Sequence, residues 1–178
     1  NIFSVKKVFA VTLPLILLFL GFFINEDLST GGSKLDFYQT FPVVENFTKN
    51  IFENFDKHTR HFPLHYLLLS IPHLFFENIY LTRVSYLIFA SITPILLYIN
   101  LQKLYRKNSY FNLIISFSII FIPYFRASAI WPNAHLTAII FLLISNYFFL
   151  AFQENKKKYF IFLNIFFLAL STYSIQSY

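Results

Sequence analysis

The 178-residue chain has no cysteine, only three glycines and few charges, with Asp, Glu, Lys and Arg together filling 12% of its positions. Without cysteine there is no disulfide framework, no thiolate nucleophile and no zinc–thiolate site. Charged residues fill about a quarter of an ordinary soluble domain. The low charged fraction, with 57% hydrophobic residues and a mean hydropathy of +0.58, excludes that class and points to a membrane protein. So few glycines leave little of the small-residue close packing that many membrane helix pairs use. Neither GxxxxGK nor GxGxxG occurs, so no nucleotide-cradling fingerprint is present. The apolar runs also lack the deeply placed Asp, Glu, Lys or Arg of an ion-coupled carrier.

What is abundant is aromatic: 26 phenylalanines and 12 tyrosines make the apolar runs bulky. The formal net charge of +6 resides in basic residues beside those runs, where the positive-inside rule accounts for them without a nucleic-acid partner. The runs predict an all-α, polytopic transmembrane bundle of about five spans, at residues 8–24, 80–101, 110–124, 134–152 and 159–173. The first follows Lys6 and Lys7 like a signal peptide, but it lacks an A-x-A-like cleavage site and further spans follow. Lys6, Lys7, Lys103, Arg106, Lys107, Lys156, Lys157 and Lys158 then share one side, which predicts a cytoplasmic N-terminus. The bias toward Phe, Ile, Lys and Asn leans toward a bacterial inner membrane.

Residues 25–79 form the one long polar interruption, an outer loop facing away from the cytoplasm. Residues 29–33 read as a flexible turn. From Pro42, Val44, Phe47, Ile51 and Phe55 recur at helical spacing with Glu45, Lys49 and Glu53 opposite, predicting an amphipathic helix that lies in the membrane interface or packs on other protein. Residues 61–76, broken by Pro63 and Pro72, predict a re-entrant or juxtamembrane helix.

Chemistry-bearing residues concentrate in and around this loop. Asp36, where a span meets polar chain, is the candidate general base, its pKa open to elevation by partial desolvation; a helix-capping Asp is the other reading. His58, His61 and His65 stand three and four residues apart, but Pro63 disturbs a shared helix face and no carboxylate matches the spacing, which disfavours a metal site. In HFPLHY, His61, His65 and Tyr66 are instead candidate substrate contacts. Arg83 and Arg126, at outer ends of spans, suit bidentate pairing with a lipid phosphate, or simple snorkelling to the interface.

The order of these features resembles the GT-C membrane glycosyltransferases, in which one span precedes an outer loop with an essential acid and amphipathic juxtamembrane helices. The matching stretches are LDFYQTFP around Asp36, HFPLHYLLLSIPHLFF, LTRVSYLIFA, and IPYFRASAIWPNAHLTAIIFLLISNYFF. The resemblance covers nearly the whole chain. It implies that Asp36 deprotonates an acceptor hydroxyl, which displaces polyprenyl phosphate from a sugar C1 with inversion, while Arg83 or Arg126 eases phosphate departure. The implied partners are membrane lipid, a polyprenyl-phosphate-linked sugar donor and a lipid, glycan or protein acceptor. No cofactor is implied. Full members have more spans, so the sequence is expected to be the N-terminal part of a longer protein. A non-catalytic polytopic scaffold and a lipid-linked saccharide transporter are the alternatives.

Overall fold

Long apolar runs with few breakers fold as helices because each backbone amide is then satisfied inside its own segment, which a membrane demands. The computed structural model describes residues 5–49, 64–105 and 109–174, and all their regular structure is helical. His58, His61, Ile51, Phe55, Arg106 and Lys107, with the rest of residues 50–63, lie outside the described residues.

Helix α1 (Val5–Phe23) runs through a buried Pro14. It ends because Asn25 takes a left-handed conformation (φ 53°), allowing Asn25 N–H to donate to Phe22 O (3.0 Å) and Glu26 N–H to Gly21 O (2.8 Å). This pair of bonds is a Schellman closure. The turn after it is tied down rather than flexible. Asp27 accepts from the amides of Ser29 (2.9 Å) and Lys34 (3.0 Å), and the Ser29 hydroxyl accepts from Ser33 N–H (2.7 Å). With its first amides satisfied by these side chains, α2 (Gly32–Lys49) starts ten residues ahead of the Pro42 onset expected from periodicity and passes through Pro42. Phe37, Phe41, Val44 and Phe47 form its buried stripe, and Glu45 and Lys49 are exposed.

Helix α3 (Leu64–Phe76) packs against α2 and against α4 (Ile79–Ala90). Asn78 caps α4, accepting from Tyr80 N–H (2.8 Å) and Leu81 N–H (3.2 Å). After a short break, α5 (Thr93–Leu104) continues the same 26-residue apolar stretch. The expected straight span at 110–124 is instead broken: α6 (Ser109–Ser118), a 3-10 turn (Ile119–Phe121) and α7 (Pro123–Ile130), with 67° between the limbs. Pro123 is the cause, since it has no amide hydrogen to continue the ladder and forces Ile122 into an extended conformation (φ −71°, ψ 122°). Asn133 then caps α8 (Ala134–Asn155), which pairs along its length with α9 (Lys158–Thr172).

Among the described residues three stretches are long and apolar enough to cross a membrane: α1, the α4–α5 pair and α8. The bent α6–α7 pair makes a fourth if its limbs count as one span, while α3 and α9 are apolar but shorter. Large apolar side chains such as Phe9, Ile88, Phe111, Phe162 and Phe166 project outward, as they would toward lipid. Neutral amides bind the interior: Asn100 donates to Leu143 O (3.0 Å), Asn146 to Asn100 Oδ1 (3.1 Å), and Asn164 to Ser145 O (2.9 Å).

Candidate functional site

The ends of α1, α4 and α7 converge beneath α2, and Trp131, 1% exposed, is the hub of that meeting. Its indole N–H donates to Glu26 O (2.9 Å), and the rings of Phe37 and Tyr38 lie 6.0 and 5.7 Å away. The guanidinium of Arg83 stacks on the indole, 3.6 Å from the ring centre, and also faces Phe22 at 4.9 Å. Lys34 reaches over the same indole at 5.4 Å. Two cations are thus drawn to one indole by the quadrupole of its ring.

Arg83 is 4% exposed, so it does not snorkel. Its Nε donates to Ile130 O (3.3 Å) and its Nη1 to Asn25 Oδ1 (3.1 Å), the side-chain oxygen presented by the Schellman turn. Nη2 has no acceptor among the described residues, and no carboxylate pairs with the group there. Arg126, in contrast, is neutralised. It forms a two-pronged ion pair with Glu26, its Nε 3.0 Å from Oε1, and donates to Leu17 O (3.1 Å). Gly21 makes room for this pair, because a Cβ there would collide with the Glu26 carboxylate and the Arg126 guanidinium.

His65 and Tyr66 sit in the first turn of α3, both buried. His65 Nδ1 lies 2.8 Å from Thr137 Oγ1, and the Tyr86 hydroxyl donates to Asn133 O (2.7 Å) beside the same threonine (3.1 Å). These groups join α3, α4 and α8. The partial desolvation expected of Asp36 is not found: the carboxylate lies on the exposed side of α2, one residue round the helix from the buried Phe37. Among the described residues its side chain has no hydrogen bond or ion pair, so the structure links Arg83 to Arg126 through Trp131 and Glu26 while neither guanidinium bonds Asp36. No three His, Asp or Glu side chains gather as metal ligands among the described residues.

No protein-family model, curated protein or solved structure matches this chain. The site therefore stands on its own geometry. Sequence reasoning passed over Glu26 and Trp131 as members of the site. The available signal was the chain's single tryptophan, followed directly by proline at a predicted span boundary. It also passed over His73, whose ring is held edge-on by Phe41 (5.1 Å between centres) and whose Nδ1 lies 3.2 Å from Thr82 Oγ1.

Beside this end run two openings of different character. An apolar groove of about 340 Å³ between α3 and α4 is lined by Leu68, Pro72, Phe75, Tyr86 and Phe89. A polar cavity of about 390 Å³ lies where α2 and α3 finish, between Glu45, Thr48 and Lys49 on one side and His73, Leu74 and Glu77 on the other. Asp27, in the turn outside the apolar helices, carries a lowered pKa. Burial pushes it up, but hydrogen bonds from the Ser29 hydroxyl and the backbone of Ser29, Lys34 and Gly31 outweigh that push.

Proposed function

We propose that this chain is a segment of a GT-C-like membrane glycosyltransferase, moving a sugar from a polyprenyl-phosphate-linked donor to an acceptor hydroxyl on the non-cytoplasmic side. In this reading the chain crosses a bacterial inner membrane about five times with its N-terminus in the cytoplasm. The observation that carries the proposal is Arg83. A buried guanidinium at the end of a membrane-length helix, with no countercharge and one nitrogen without an acceptor among the described residues, is costly unless an anion completes it. A lipid phosphate has the charge and the acceptor oxygens for that role. The apolar α3–α4 groove begins one turn farther along α4 and offers room for a hydrocarbon tail. Asp36 is the base of this scheme, taking the proton of the acceptor hydroxyl as that oxygen bonds to C1 and the polyprenyl phosphate leaves.

A non-catalytic membrane scaffold is the second reading, and the exposure of Asp36 favours it. The full-length protein in liposomes, supplied with labelled polyprenyl-phosphate sugar and acceptor, separates the two. Asp36→Asn reduces transfer by about a hundredfold or more if Asp36 is the base, with membrane insertion intact. Unchanged transfer in that variant removes Asp36 from the scheme. Labelled saccharide crossing the bilayer without a new glycosidic bond identifies a transporter instead.

A further inference from the structure

The polar cavity at the ends of α2 and α3 is not part of the scheme above, and its lining has a defined sense of hydrogen bonding. The Thr82 hydroxyl donates its one hydrogen to Asn78 O (2.9 Å). Its contact with His73 Nδ1 (3.2 Å) must then run the other way, with the imidazole donating. Neutral His73 is thereby fixed with its proton on Nδ1 and a bare lone pair on Nε2. Phe41 holds the ring from the side. Among the described residues the same cavity is lined by Glu45 and Glu77, both acceptors, and by one cation, Lys49. Two carboxylates against one ammonium disfavour an anion. A divalent metal lacks a converging set of three ligands among the described residues. What remains is a ligand rich in hydroxyl donors and carrying no charge.

We propose that this cavity binds a neutral saccharide, its hydroxyls donating to Glu45, Glu77 and His73 Nε2 while Lys49 donates to a sugar oxygen. Naming that saccharide as the acceptor of sugar transfer rests on the glycosyltransferase reading. Saccharide binding itself does not.

The test uses the full chain in lipid nanodiscs and labelled methyl glucoside, methyl galactoside and methyl mannoside, with affinities from equilibrium dialysis. His73→Asn retains a donor toward Thr82 while deleting the Nε2 position, and it weakens binding about tenfold at an unchanged melting temperature. Glu77→Gln weakens it by a similar factor. Thr82→Val frees the imidazole to take the other tautomer and also weakens binding, although no group lining the cavity has changed. Histidine nitrogen resonances report the Nδ1–H tautomer in the unaltered protein and shift at His73 when glycoside is added. The proposal is overturned if none of the three glycosides binds, or if they bind equally well to His73→Asn and Glu77→Gln. It is equally overturned if magnesium or zinc chloride alone shifts the His73 resonance and glycosides do not. Glycoside binding that responds to these variants in a protein with no transferase activity upholds the site and removes the acceptor role.

Discussion

Where α1, α4 and α7 end, the polar groups that join helices are charged; midway along α5, α8 and α9 they are neutral amides. At the first place Glu26 faces Arg126 and Arg83 lies against Trp131. At the second, Asn100 bonds Asn146 and Leu143, and Asn164 bonds Ser145. An amide deep in an apolar bundle needs only a donor and an acceptor nearby, and the backbone supplies both. A buried charge needs a countercharge as well, so its loss from one helix leaves a penalty on another. The amide region should therefore tolerate single substitutions that the charged end does not.

Trp131→Ala tests the charged end at its hub and carries the largest expected effect. It removes a buried indole that closes on Arg83, Phe37 and Glu26, for a loss of about 3–5 kcal/mol in unfolding from detergent micelles. Glu26→Gln comes next, at about 2–3 kcal/mol. The value lies below that of a fully buried pair because the two side chains retain 17% and 12% exposure. Adding Arg126→Gln should recover part of the loss, and failure to recover would mean that charge is not what distinguishes this end. Asn164→Ala should cost about 0.6–2 kcal/mol in the same assay. A cost equal to that of Glu26→Gln would erase the contrast.

The smallest effect concerns pH. Asp27 has a folded pKa below the ordinary carboxylate value of 3.8. The stability it contributes is present above that value and is lost as pH falls through the lowered one. In a melting-temperature series, Asp27→Asn should lie slightly below the unaltered protein at neutral pH, with a flatter acid limb, and the two should converge below the lowered pKa.

Much of the architecture was legible because long apolar runs leave few options. The run at 8–24 corresponds to α1 and the run at 134–152 to α8, with ends that differ by up to three residues. The kink at Pro123 was harder to read, since proline inside a membrane helix is often accommodated without a break, as Pro14 is here. The site was less legible than the fold. Arg83 and Arg126 were recognisable as cations at span ends, but their different fates depend on partners 58 and 100 positions away, Asn25 and Glu26. No local pattern encodes such a pairing. Asp36 stood out for its position between span and loop, yet α2 turns its Phe37 side inward because Phe37, Phe41, Val44 and Phe47 form the only continuous apolar stripe on that helix. His73 looked like one more residue of an apolar run, and only the geometry of Thr82 and Asn78 gives its imidazole a fixed orientation.

The 100-residue separation between Glu26 and Arg126 also bears on how the protein is made. The ribosome adds about 5–20 residues per second, so the glutamate following the first helix waits about 5–20 s before its arginine has even been synthesised. During that interval the Glu26 carboxylate is without the Arg126 guanidinium that neutralises it in the folded chain. The ion pair that ties the end of α1 to α7 therefore closes only after the broken helix, a hundred residues farther on, has been made.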